Sequence, residues 1–419
     1  MHRSPLPWLP RLIAPCVVAM TLTALLWGTH ASAAGDPAIV GYPGSMASTG
    51  DSITRAFETC PQAFTDCPAN SWSTGTNAAI NTQYLRILAA NPAINGHNNN
   101  DAQSGATMAA LNGQVATAVS QHVDYVTILM GANDVCTSSP ATMTSVATFA
   151  SEFQTAMNTL STGLPDARIF VASIPDIYNL WSILSTNSNA VNTWNLFQIC
   201  QSMLKNPTSM AQADVDRRAL VQQRNVDLNT QLTTICAQYV HCHSDGGAAF
   251  NLAFTPADVS TVDYFHPSID GQTLAASASW PATFDFTDAT PPVSSDTTAV
   301  APGGIAVTIT ATDDVGVSGI EYQIDNGSYT RYTAPVVVPQ ASTIMWRAVD
   351  VNGNSEATHA FTPPKAVGGI AQAPPIAGLP PRGNGAPLSL AQWFFAGGAL
   401  VALAALAVGG WLRRRRDAR

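Results

Sequence analysis

Charge is what this chain has least of. Asp, Glu, Lys and Arg make up 11% of its 419 residues, against roughly 25% in ordinary soluble domains. Basic residues are the scarcer kind, 18 against 27 acidic, for a formal charge of -9. Without a basic face the chain has nothing to hold a phosphate backbone, which excludes nucleic acid as a partner. No C-x-x-C pair occurs among the 7 cysteines, and a zinc ribbon needs such pairs. Apolar residues are plentiful at 46%, and much of that excess sits at the two ends.

The ends read as targeting signals. Arg3 and Arg11 form a basic start, LIAPCVVAMTLTALLWG an apolar stretch, and Ala31-Ser32-Ala33 a cleavage site, so residues 1–33 are expected to be a secretory signal peptide. Cys16 raises lipidation as an alternative, but Pro15 stands where a small residue is needed. Removal of the signal leaves Cys60, Cys67, Cys136, Cys200, Cys236 and Cys242. An even number in an exported chain reads as disulfides. Spacing favours 60–67 and 236–242, which leaves 136–200. At the other end, residues 388–412 carry no charge and are long enough to span a bilayer as a helix. Arg413 to Arg416 follow, and the positive-inside rule puts the tail 413–419 in the cytoplasm and everything before it outside. The expected location is the cell surface, anchored in the plasma membrane. Leu379-Pro380-Pro381-Arg382-Gly383 also resembles a sortase signal, with Arg in place of the Thr whose bond is cut.

Between the ends the length allows two folded units. Residues 34–285 alternate short apolar runs with helical stretches. VDYVTILMG (123–131), ARIFVASIPD (167–176) and QYVHCHSD (238–245) read as buried strands, and 143–164 and 214–236 as helices. That alternation predicts an α/β fold with a parallel sheet covered on both faces. From Pro291 the pattern becomes short Val-, Thr- and Ile-rich runs with Asn326-Gly327 at a hairpin position. Residues 286–362 are expected to form a small all-β sandwich resembling bacterial Ig-like surface modules. Asp350-Val-Asn-Gly-Asn within it fits a calcium loop or a plain turn. Residues 363–387, rich in Pro, Gly and Ala, read as an extended linker.

The chemistry lies in four places, in order. STGDSITR holds Ser52, expected to open a helix; DAQSGATM holds Gly105, also at a helix start. ILMGANDVC holds Asn133 just past a strand, and VDYFHPSIDG holds Asp263 and His266 three apart in a turn. In a parallel sheet such groups meet beyond the carboxyl ends of strands. Ser52 as a mere N-cap is the bland alternative. No G-x-S-x-G surrounds it, which argues against an α/β-hydrolase elbow.

These blocks resemble the SGNH hydrolases, the GDSL-type esterases and lipases, and their longer wording looks like secreted actinobacterial members. The resemblance spans the whole α/β region and implies a three-layer αβα, flavodoxin-like domain. It implies Ser52 as nucleophile, His266 as general base and Asp263 as the acid that orients it. The N–H groups of Ser52 and Gly105 and the amide of Asn133 would form the oxyanion hole. Ile53 departs from the family's usual Leu. Asp51 and Asp134 read as structural acids.

No cofactor or metal is required by this chemistry. His241 and His243 form an H-x-H pattern, but no third ligand accompanies it in sequence. The expected partner is an ester substrate, lipid-like or an acylated glycan, acted on by a monomer. A carbohydrate O-acetyl esterase uses the same blocks, and an inactive surface-binding protein is the non-enzyme alternative. PDIYNLWSIL (175–184) leaves the sheet at the catalytic edge. Its Tyr178 and Trp181 are the candidates for an apolar acyl pocket.

Overall fold

The computed structural model describes residues 39–365. The expected signal peptide, membrane segment, sortase-like motif, basic tail and nearly all of the Pro-rich linker lie outside these residues. Among the described residues no helix is long and apolar enough to cross a membrane.

The first part is built on five parallel strands: β1 (Met46–Gly50), β2 (Asn98–Asn100), β3 (Tyr125–Leu129), β4 (Arg168–Val171) and β5 (Cys242–Ser244), in the order β2-β1-β3-β4-β5. Helices α1 (Gln83–Ala90), α2 (Met108–Gln121), α3 (Ala132–Val135), α4 (Val146–Gly163) and α5 (Ile177–Leu184) come next along the chain. They are followed by α6 (Ser188–Phe197), α7 (Gln201–Leu204), α8 (Gln212–Cys236) and α9 (Ile269–Ser279). Alternation along the strands makes two cores. Val126 and Ile128 of β3 point to one side, against α2, α4 and α8. Tyr125 and Leu129 point to the other, against α1 and α9. This is the parallel α/β sheet expected from the buried runs, although the ladders are shorter than those runs.

The strand order reverses between β1 and β3, and a crevice opens beyond their carboxyl ends at such a point. Two glycines make the close approach possible. Gly50 ends β1 with φ +144°, and a Cβ there would lie 2.2 Å from the Leu129 carbonyl oxygen. Gly131, just past β3 with φ +131°, leaves no room for a Cβ against Ile174.

Residues 293–361 form two antiparallel sheets. One holds β6 (Val293–Ala301), β7 (Gly304–Thr312) and β10 (Val336–Val338). The other holds β8 (Val317–Ile324), β9 (Thr330–Arg331), β11 (Ile344–Asp350) and β12 (His359–Phe361). Val307, Val338, Ile344 and Trp346 share one core between them. Asp350 organises the turn. One carboxylate oxygen accepts the Asn352 and Asn354 N–H groups at 2.8 Å, and the other accepts the Asn354 amide at 2.8 Å. Both oxygens serve the turn.

The three disulfides are Cys60–Cys67, Cys136–Cys200 and Cys236–Cys242, the pairing that spacing favoured.

Candidate active site

Ser52 lies two residues past the end of β1, and no regular helix starts there. Residues 51–58 form a chain of tight turns, in which Phe57 N–H donates to the Ser52 carbonyl at 3.0 Å. The helix expected to open at Ser52 is therefore replaced by local turns. Gln114 fixes the approach: its amide donates to the Gly50 carbonyl at 2.9 Å and its oxygen accepts the Gly50 N–H at 2.7 Å. Behind the next residue, Gln272 of α9 donates to the Ile53 carbonyl at 2.8 Å.

Asp263 and His266 occupy a turn ahead of α9. Asp263 Oδ1 accepts the N–H groups of Phe265 at 2.9 Å and His266 at 3.1 Å. Its Oδ2 lies 2.5 Å from His266 Nδ1, and His266 Nε2 lies 2.8 Å from Ser52 Oγ. Burial works against the Asp263 charge, but the bonds from the His266 ring and the two N–H groups hold its carboxyl below the usual range. An ionised Asp263 makes Nδ1 the donor, so the neutral ring presents Nε2 to accept the Ser52 hydroxyl proton. The turn is braced from α6, where Trp194 Nε1–H donates to the Tyr264 carbonyl at 2.9 Å.

Asn133 lies in α3, just beyond β3. Its amide donates to the Ala106 carbonyl at 2.9 Å, which fixes Asn133 beside the Gly105 loop. Gly105 does not open α2; the helix starts at Met108, behind Thr107. No atom lies within 4 Å of where a Gly105 Cβ would sit. Neither the Ser52 N–H nor the Gly105 N–H is used in a hydrogen bond among the described residues.

An open cleft starts at Ser52, Asn133 and His266, with walls that include Asp176, Ile177, Leu180, Phe254, Val259 and Phe265. The stretch 175–184 contributes to this wall, but not through the two residues expected. It folds as a helix, so a period near 3.6 decides which side chains face inward. Ile177 and Leu180 reach the cleft. Tyr178 and Trp181 are absent from its walls. Trp181 donates to the Pro207 carbonyl at 2.8 Å and lies 4.2 Å under the Arg218 guanidinium. Tyr178 packs on it at 4.9 Å.

His241 and His243 diverge in their partners. His241 lies 3.4 Å from Glu321, and His243 packs on Phe284 at 5.3 Å. Among the described residues no group of three metal-ligating side chains converges.

A serine hydroxyl, an imidazole and a carboxylate in one hydrogen-bonded line, at the carboxyl edge of a parallel sheet, form the arrangement that acyl transfer needs. The family model of the GDSL-like lipases/acylhydrolases matches residues 48–279, more than half of the chain. The chain belongs to that family, whose chemistry supports an ester hydrolase. Among solved structures, a protein from Parabacteroides merdae described as a GDSL-like lipase matches with 15% identity and TM-score 0.38, over 59% of this chain and 98% of its own. The psychrotrophic esterase EstA from Pseudoalteromonas sp. matches with 12% identity and TM-score 0.34, over 57% of this chain and 96% of its own. Phospholipase A1 from Streptomyces albidoflavus NA297 matches with 14% identity and TM-score 0.32, over 58% of this chain and 98% of its own. Among curated proteins none matches. Structural likenesses this small say nothing about substrate.

Proposed function

We propose that the protein is an extracytoplasmic serine esterase or lipase that cleaves carboxylic, lipid-like esters through an acyl-enzyme. One observation carries this reading: the Ser52–His266–Asp263 line, with spans of 2.8 and 2.5 Å, opens into a cleft with apolar walls. As Ser52 Oγ attacks the ester carbonyl, His266 Nε2 takes its proton, and Asp263 stabilises the imidazolium. The carbonyl oxygen becomes an oxyanion, for which the Ser52 and Gly105 N–H groups and the Asn133 amide are the donors. Collapse expels the alcohol, which takes the proton back from His266. Water then repeats the sequence on the acyl-enzyme and releases the acid.

Leu180, Phe254 and Phe265 suit an alkyl chain, each buried methylene of which favours binding by about 0.8 kcal/mol. The cell-surface location rests on the N-terminal and C-terminal sequence signals, and three disulfides fit an oxidising compartment. The C-terminal sheets are proposed as an Ig-like module that, with the Pro-rich linker, holds the enzyme off the membrane.

Ser52→Ala and His266→Ala should each lower kcat on chromogenic esters by about three orders of magnitude or more, with the circular dichroism unchanged. A serine-reactive phosphonate should label Ser52 alone. Unimpaired turnover in Ser52→Ala would refute the assignment. A strict preference for acetyl on acetylated polysaccharide would replace the lipid-ester reading with a deacetylase.

A further inference from the structure

An exposed apolar rim surrounds the catalytic turn. Phe64 is 57% exposed, Leu196 75% and Phe197 54%. Phe64 belongs to the Cys60–Cys67 loop and Phe197 to the end of α6, yet their rings meet at 5.8 Å. Both supporting segments hold the catalytic pair. On the loop side, Glu58 accepts the Phe64 N–H at 2.7 Å, and Phe57 packs on the His266 ring at 4.8 Å. On the α6 side, Trp194, one turn before Phe197, holds the Tyr264 carbonyl. Val262, 37% exposed, immediately precedes Asp263 in the same loop as the cleft walls Val259 and Phe265.

The rim is also uncharged. Residues 61–65, 188–198 and 259–262 contain no Asp, Glu, Lys or Arg. The ions closest to Phe64 along the loop are spent internally: Arg55 pairs with Asp66 at 3.0 Å, and Glu58 is buried. A rim of exposed aromatic rings whose nearest loop ions are paired or buried is matched to an uncharged hydrocarbon boundary, not to a polyanion. The apolar rim continues into the apolar cleft through the 259–266 loop.

We infer that this rim docks the enzyme on aggregated, uncharged acyl lipid, so that an acyl chain passes from the aggregate into the cleft beside Ser52. The inference rests on the esterase reading above. Neither Phe64 nor Phe197 lines the cleft, so docking and chemistry can be separated.

The test uses the full chain with tributyrin, followed from dissolved monomer through its solubility limit into emulsion. The wild-type rate should jump by about fivefold or more as the emulsion forms. Phe64→Ser/Phe197→Ser should lose the jump while keeping the monomer rate within about twofold, and Phe64→Leu/Phe197→Leu should retain it. A wild type that cleaves dissolved tributyrin without a jump would overturn the inference alone. So would a jump that survives in the serine double variant. No turnover of tributyrin, dissolved or emulsified, would overturn the esterase reading, and this inference with it.

Discussion

Asp51 is a carboxyl group in a place that does not suit its charge. It lies between the end of β1 and Ser52 and is fully buried. One oxygen accepts the Ile53 N–H at 2.9 Å, and the other has no partner among the described residues. Burial pushes the group from 3.8 up to about 7, against the pull of the Ile53 N–H and of His266; the neighbouring Asp134 adds to the rise. The folded chain therefore keeps a proton that the unfolded chain releases near pH 4. Across that window folding stability falls as pH rises, by 1.36 kcal/mol per unit of pH at most. About three units give a loss of up to roughly 4 kcal/mol, complete above pH 7. Asp51→Asn keeps the acceptor for Ile53 and removes the titration. Urea unfolding followed by tryptophan fluorescence should show the variant close to wild type at pH 4 and more stable by up to about 4 kcal/mol at pH 8. A difference that does not change with pH would show that the Asp51 carboxyl is not what titrates.

The cleft walls predict a chain-length effect. Leu180→Trp should flatten the rise in kcat/KM from acetyl to medium-chain esters, whereas Trp181→Ala should leave that profile intact and destabilise the fold by about 3–5 kcal/mol. The reverse pattern in a chromogenic ester series would return Trp181 to the pocket. Cys136 lies three residues past Asn133, and its bond to Cys200 closes a span of 64 residues. Cys136→Ser/Cys200→Ser should lower stability by about 4 kcal/mol on chain-entropy grounds, and an unchanged unfolding midpoint would refute that role.

What was legible in the sequence was what local chemistry dictates. The buried runs gave β3 and β4 because a strand covered on both faces must be continuously apolar. Ser52, Asn133, Asp263 and His266 stand out as four blocks in order whose resemblance to the SGNH hydrolases implies their roles, each block falling near a strand end or turn. Side-chain direction was harder to read. The 175–184 stretch lies at the catalytic edge, but its helical form turns Ile177 and Leu180, not Tyr178 and Trp181, towards the cleft. β2 was missed altogether: its sequence is three asparagines, and Asn98 and Asn100 are held by bonds to the Thr74 and Thr54 carbonyls at 2.8 and 3.0 Å. Gln114, Trp194 and Gln272 hold the site's segments through contacts that span 64, 70 and 219 residues of sequence, and no local pattern marks such contacts.

The C-terminal sheets meet the parallel sheet at the edge opposite Ser52, and the contact is built from buried charge. Arg168, the first residue of β4, is 3% exposed. Its guanidinium donates to the carbonyls of Gly41 at 2.7 Å and Asn352 at 2.8 Å, and to the Asn354 side chain at 2.9 Å. Burial pushes it down to about 10. From the other side, Arg347 pairs with Glu321 at 2.6 Å and donates to the Pro165 carbonyl at 3.0 Å. Ser318 donates to the Val240 carbonyl at 2.8 Å. Removing the sheets takes away two of Arg168's three acceptors, and a cut at Asp285 also removes Phe286 from the core around Tyr125; losing a buried aromatic costs about 3–5 kcal/mol. That is a large part of the roughly 5–15 kcal/mol that holds a domain folded. Two truncations should therefore behave differently. A chain ending before Pro363 should be secreted as a soluble, active enzyme. A chain ending at Asp285 keeps every residue of the catalytic line, yet should aggregate or melt at a much lower temperature. If the shorter chain is as stable as the longer one, the sheets are a passive spacer and the buried arginines do not couple them to the enzyme.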